Sequence, residues 1–373
     1  MAGIIFFDTE CGLQFVCLTE NLLNNFVTKY TQTKMTTDQD NCKTEFARMA
    51  GRIDSLLQTD GSGGDPVIWQ GVDLDEFIRD YHHADSWSTR EFIHESLRQL
   101  ASGLRAMSSA SAIHDPEHRP SNPKTLAFVI NPGAPLEGAG EILFAAVSGF
   151  RCILKLPEMS ARLYKTLLEY LLGFSEKVAS SIEMADGPLP RFDGIVFINA
   201  LQKPDVAGYF GRWPHLYLSS SRATVILTGE ESQQEVRETA AGICNFYGRS
   251  YRSIKSLKVP ENYDFSGLKE ALSAYHNFIN HSRYFNHYEY HKSVFLINAV
   301  AFEDLGFLLL TKDQAFKGNT GVLVYEEYKP GSTGIRHSSD TGPEAGDGTA
   351  GQGSKGAGLF LEKDVFLPFL QSV

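Results

Sequence analysis

No apolar run in this sequence is long enough to span a bilayer. The most apolar-rich stretch, Ser293–Leu310, is broken by Glu303 and Asp304, and a spanning helix needs about 20 mainly apolar residues. The first twelve residues set Asp8 and Glu10 beside a short apolar run with no basic region before it, so they do not read as a secretory leader. Cysteine is scarce: Cys11, Cys17, Cys42, Cys152 and Cys244, an odd number with no CxxC pair. That argues against a disulfide framework or a zinc site and for free thiols in a reducing cytoplasm. Positive charge is short too, with 34 Lys plus Arg against 45 Asp plus Glu and a net charge of −11. A nucleic-acid-binding surface needs the opposite sign. No phosphate-binding GxxxxGK[ST] loop occurs. Gly138-Ala139-Gly140 opens like a dinucleotide fingerprint, but Leu143 stands where the third glycine belongs, so the tripeptide reads as a turn.

What is present reads as a globular α/β protein. The 373 residues suffice for two or three domains, and 42% apolar content is too high for a disordered chain. Residues 1–75 read as an N-terminal extension of weak structure, with one short helix over Thr44–Leu57. Ser88 and Glu91 are spaced as a capping box ahead of Ile93, Leu97, Leu100 and Leu104 at helical spacing. Strand patterns at Thr125–Ile130, Arg151–Leu156, Gly194–Ile198 and Ala223–Leu227 then alternate with helical patterns at Glu141–Val147, Ser160–Phe174 and Gln233–Phe246. The alternation predicts one twisted parallel sheet over Thr125–Leu227, with a ligand cleft at the carboxyl ends of its strands. A strand at Ser256–Val259 and a helix from Asp264 to about Ile279 follow. Residues 329–358 are dominated by Gly, Ser and Thr and read as flexible. Residues 359–373 form a C-terminal segment in which Leu359–Leu370 reads as a strand docking back.

Two side-chain clusters stand out. His276, His281, His287 and His291 fall close together, with His287 and His291 four apart. No acid or thiol is spaced to complete a metal site, so a packed polar-aromatic surface is the simpler reading. Arg249, Arg252, Lys255 and Lys258 form a local positive run that reads first as a solvated face and second as a phosphate contact.

Several segments, taken in order, resemble the fatty acyl-CoA reductases of the aldehyde dehydrogenase superfamily, in particular the short bacterial branch related to the enzyme of luminous bacteria. They include Ser86-Trp87-Ser88-Thr89, Ala134-Pro135-Leu136-Glu137-Gly138, Ser148-Gly149 leading into Ile153-Leu154-Lys155-Leu156, and Val225-Ile226-Leu227-Thr228-Gly229-Glu230. Phe246-Tyr247-Gly248, Asn280-His281, Tyr288-Glu289-Tyr290 and Gly306-Phe307-Leu308-Leu309-Leu310 continue the series, which covers about Trp87–Tyr328. The resemblance implies an aldehyde-dehydrogenase-like α/β fold. A parallel-sheet nucleotide-binding domain would span 76–228 and a smaller catalytic-type α/β domain 229–328. It implies a cysteine thiolate that attacks a thioester or aldehyde, an asparagine that helps hold the oxyanion, and NADP or NAD as hydride carrier, with acyl-CoA or an aldehyde as substrate. A homodimer or a protein partner would complete the assembly.

Residue by residue, the transfer stops short of the chemistry. The family's nucleophile position falls on Tyr251, with Cys244 seven residues earlier as the fallback thiol. The oxyanion asparagine falls on Gly133, and the turn that receives the cofactor falls on Asn199-Ala200. Lys155 matches the lysine that holds the adenosine ribose. A free thiol with pKa about 8.5 is a few per cent ionised at pH 7, whereas a phenol at about 10 is ionised to on the order of a tenth of a per cent. The sequence therefore reads as a relative without thiol-dependent catalysis, its cofactor open to loss as well. The alternative is an active NAD(P)H-dependent acyl-CoA reductase that uses Cys244.

Overall fold

The computed structural model describes residues 38–58, 66–109, 124–199, 209–218 and 224–329, with Phe366, Phe369, Leu370, Val373 and the backbones of strands 4–7 and 14–17. In chain order the strands are β1 (Ile4–Phe7), β2 (Gln14–Cys17), β3 (Ile68–Trp69), β4 (Val72–Asp73), β5 (Thr125–Ile130), β6 (Arg151–Lys155), β7 (Ile182–Met184), β8 (Gly194–Ile198), β9 (His215–Leu218), β10 (Thr224–Ile226), β11 (Ser256–Pro260), β12 (Phe302–Asp304), β13 (Leu309–Thr311) and β14 (Val322–Tyr328). The helices are α1 (Asp38–Gln58), α2 (Leu74–Asp80), α3 (Arg90–Ser109), α4 (Ala139–Val147), α5 (Glu158–Leu172), α6 (Glu176–Ala179), α7 (Gln233–Cys244), α8 (Ser266–Ser273) and α9 (Ser282–Ile297).

The chain divides into two compact units, Met1–Leu218 with Leu359–Val373, and Ser219–Gly358. In the first, β5, β6, β7, β8 and β9 form a parallel sheet of order β7-β6-β5-β8-β9. Its central strands are short and apolar, as strands covered on both faces must be: every residue of β8 is buried, as are Leu126, Ala127 and Phe128 of β5. Ala127, Ile195 and Phe197 pack with Phe192 on one face, with Phe210, Trp213 and Tyr217 against them. Phe128 meets Phe144 of α4 through Phe366 on the other.

Helix α3 buries the expected Ile93, Leu97, Leu100 and Leu104. Its cap is Thr89, whose Oγ1 accepts from Phe92 N at 3.3 Å; Ser88 instead donates to Asp85. The weak extension expected before residue 75 contains the 21-residue helix α1, whose Phe46, Met49 and Ile53 are fully buried. Burial of an apolar stripe outweighs the low propensity of a polar helix start.

In the second unit the order is β10-β11-β14-β13-β12, parallel except for β12. Strand β10 therefore does not close the first sheet, as the one-sheet reading had it. It pairs with β11, Thr224 opposite Ser256, and lies in the second unit, Ser219–Gly358. The apolar segment ending α9 is helical, and Tyr288 and Phe295 pack on Leu309, Val322 and Val324. The C-terminal segment is helical at Phe366, Phe369 and Leu370, not extended. Residues 330–358 lie outside the described part.

Candidate functional site

In the first sheet the strand order reverses between β5 and β8, which is where open α/β sheets place a ligand, beyond the carboxyl ends of the strands. Three sequence-derived positions sit at this edge. Lys155 ends β6, Asn199 follows β8, and the loop carrying Gly133 follows β5. Lys155 and Asn199 flank β5, two strand spacings or about 10 Å apart along the sheet. Ala200 lies outside the described residues.

The loop after β5 is closed over the end of β8. Asn131 N donates to Ile198 O at 3.0 Å. Gly138, with φ 85°, caps α4 so closely on Ile198 that a Cβ there would stand 2.3 Å from its Cδ1. Gly133, where the resemblance places an oxyanion donor, spends its own N–H on the fully buried Glu137 carboxylate at 2.6 Å. Glu141, one turn into α4, is fully buried as well. A buried acid on the Gly133 N–H is the reverse of an oxyanion hole, which needs donors aimed at developing negative charge. The sequence signal for Glu137 is an acid set between apolar and small residues, Ala134-Pro135-Leu136 before it and Gly138-Ala139-Gly140 after it.

Lys155, to which the resemblance gives a ribose contact, directs its side chain to the loop after β7. Its Nζ faces the carbonyls of Gly187 at 3.0 Å, Ala185 at 3.3 Å and Asp186 at 3.5 Å. An ammonium has three donors, so all are directed at the loop after β7. Asn199, in the left-handed region at φ 50°, donates its N–H to Leu218 O at 2.7 Å.

The second unit holds the two nucleophile candidates, on either side of a strained turn. Phe246, Tyr247 and Gly248 all have positive φ, 50°, 58° and 65°, and left-handed backbone costs a non-glycine residue about 1–2 kcal/mol. Packing holds the turn: Phe246 is buried, and the Tyr247 ring lies 4.6 Å from Phe278 and 4.7 Å from His281. Before the turn, Cys244 ends α7 at 3% exposure, and burial drives its thiol far above the ordinary range. It lines a cavity of about 10 Å³ with Lys255, Tyr247, Tyr284 and Asn319, room for about one water. Beyond the turn, Tyr251 is 3% exposed and is not among the cavity's walls. Its phenol oxygen accepts from Arg252 Nε at 2.7 Å.

The positive run is thus not one solvated face. Arg252 stacks over Tyr251, and Lys255 is buried with its Nζ on the Gly248 carbonyl. Of the histidines, His287 and His291 remain neighbours on α9, while the other two are engaged elsewhere. His281 caps α9, accepting from Tyr284 N at 3.2 Å, and His276 lies against Phe307. Among the described residues no group of three or more His, Cys, Asp or Glu side chains is placed to hold a metal ion. No described helix is long and apolar enough to cross a membrane.

No family model and no curated protein matches the sequence. Solved structures do match. The chain is similar to an NAD-dependent aldehyde dehydrogenase from Sinorhizobium meliloti, with a TM-score of 0.52 at 12% identity over 81% of this chain and 68% of that one. It is also similar to an aldehyde dehydrogenase from Bartonella henselae, with a TM-score of 0.50 at 10% identity over 83% of this chain and 74% of that one. At such identities the likeness is one of fold, and it agrees with the parallel sheets already described: the chain has the aldehyde dehydrogenase fold.

Proposed function

We propose that this protein is an acyl-CoA-reductase-like relative that keeps the aldehyde dehydrogenase fold without thiol-dependent catalysis. The observation that carries the reading is the state of the nucleophile position. Tyr251 is buried, with its hydroxyl engaged by Arg252. The fallback thiol, Cys244, is buried and held un-ionised, and the thiolate is the reactive form. The Glu137 carboxylate on the Gly133 N–H supports the same reading, because it opposes rather than stabilises an oxyanion. The Sinorhizobium meliloti structure belongs to an NAD-dependent enzyme, so NAD or NADP is the cofactor to test. The engagement of Lys155 by three carbonyls supports weakened or lost binding. An aldehyde or acyl-CoA is the ligand class to test beside it, and action through a homodimer or a protein partner belongs to the same reading.

The test is hydride transfer, followed by nicotinamide absorbance with aldehyde and with acyl-CoA, for wild type, Tyr251→Cys, Tyr251→Cys with Gly133→Asn, and Cys244→Ala. No turnover is expected from the wild type or from Tyr251→Cys alone, since one missing oxyanion donor costs about 10²–10³ in rate. Turnover by the wild type that Cys244→Ala abolishes would overturn the proposal in favour of an active reductase. Calorimetric titration of wild type and Lys155→Met with NAD and NADP checks the cofactor arm: equal, weak heats are expected. Tight binding lost in Lys155→Met would restore the ribose contact.

A further inference from the structure

The first unit ends its core with residues from the far end of the chain. Phe366 is fully buried, its ring centroid 6.4 Å from those of Phe128 on β5 and Phe144 on α4. Phe369 and Leu370 are each 4% exposed. Val373 lies over Gly194 of β8, so close that a Cβ on that glycine would stand 2.6 Å from Val373 Cγ2. The Val373 N–H donates to Phe369 O at 3.3 Å, and Lys124 Nζ donates to the Val373 carbonyl oxygen. Phe366, Phe369 and Leu370 are helical, with the i, i+3, i+4 spacing by which an amphipathic helix fills an apolar groove, and Val373 follows them.

We infer that the first unit carries a helix-binding groove, lined by Phe128, Phe144, Leu126 and Gly194, and that its occupant is the chain's own C-terminal segment, docked as a separable ligand. The whole second unit intervenes in sequence between the groove and this segment. So short a helix has no stability of its own in water, and its order comes from the groove. Gly194 is the specificity element. It stands opposite Leu126 in the β5–β8 register, and only a residue without a side chain leaves room there for Val373. The Lys124 contact fixes how far the segment runs along the sheet. The ligand class is a short amphipathic helix with an aromatic first anchor and a small aliphatic last one. This inference is independent of the catalytic reading.

The test uses the full chain. Hydrogen exchange read by mass spectrometry compares wild type with Phe366→Asp and with Gly194→Val, which fills the place of Val373. A labelled synthetic peptide of residues 359–373 is then titrated into each by fluorescence anisotropy. In wild type, fragments covering 366–373 are protected. In both variants their exchange rises about 100-fold or more, the scale set by losing a buried phenylalanine, while fragments covering β5 and β8 keep wild-type protection. The peptide binds Phe366→Asp saturably. It binds wild type about ten-fold more weakly or less, because the tethered segment competes at high effective concentration. It does not bind Gly194→Val. Three results would each overturn the inference: unprotected 366–373 in wild type, loss of β5 and β8 protection in both variants (an integral core rather than a docked peptide), or peptide binding that is absent or equal across the three proteins.

Discussion

The Tyr251 phenol oxygen accepts a 2.7 Å hydrogen bond from Arg252 Nε, and the Arg252 guanidinium carbon lies 4.8 Å from the centre of the same ring. Tyr251 thus has a structural task. Tyr251→Phe removes one hydrogen bond to a charged donor and is expected to cost about 1–2 kcal/mol. Tyr251→Cys deletes a buried ring and is expected to cost about 3–4 kcal/mol. Urea denaturation of both variants checks the order; equal stabilities would show the phenol to be idle.

Burial of Cys244 and Cys152 predicts silent thiols. Both are held far above the ordinary thiol range by burial, so alkylation at pH 8 should be at least about 100-fold slower at these sites in the native protein than in the unfolded chain. Site-resolved mass spectrometry after iodoacetamide treatment measures this. Rapid native labelling of Cys244 would return it to candidacy as the nucleophile.

Gly138 sits at the reversal of the first sheet with both a positive φ and no space for a Cβ. Gly138→Ala combines left-handed strain with a clash against Ile198, each worth about 1–3 kcal/mol. A loss of about 2–4 kcal/mol in urea is expected. A neutral substitution would mean that the loop after β5 is free to move away from β8.

A triad in the second unit sets a pH window. The Asp304 carboxylate lies 2.7 Å from Lys292 Nζ and accepts from Tyr288 at 2.6 Å. Burial alone would raise its pKa, but hydrogen bonds from Lys292, Tyr288 and the Gly306 N–H outweigh it and hold the carboxyl low. Hydrogen bonds to Asp304 and Tyr288 push Lys292 up, and burial, with the bond to Asp304, pushes Tyr288 to about 12. A carboxyl depressed on folding contributes above its unfolded pKa, about 3.9, and loses that contribution as pH falls through the folded value. A lysine raised on folding contributes below about 10.4 and loses it as pH rises through the folded value. The pair therefore acts from about pH 4 to about pH 10. Both groups are about a third exposed, so Asp304→Asn should cost only about 1 kcal/mol at pH 7, with the difference shrinking by pH 3. Urea titrations at the two pH values decide it; a constant difference would mean the carboxylate charge contributes nothing.

The alternation of β-branched and aromatic runs with helical spacing determined the α/β class, the apolar face of α3 and the strands from 125 to 198. These depend on local periodicity, which sequence carries directly. Periodicity says nothing of which strand pairs with which. The transfer of β10 to the second sheet was decided by its register with β11, a contact across 32 positions of chain. The length of α1 was decided by burial of Phe46, Met49 and Ile53, and the docking of Phe366 by a groove built from β5 and α4. At the candidate site, sequence determined which residue types stand at the positions the resemblance singles out, above all Tyr251, Gly133 and Lys155. Tertiary structure alone decided what they face: Arg252 on the phenol, Glu137 on the Gly133 N–H, and three carbonyls on the lysine. Hydrogen-bond partners are chosen by three-dimensional proximity and by the cost of leaving a buried polar group unpaired, and neither is written in the spacing of residues along the chain.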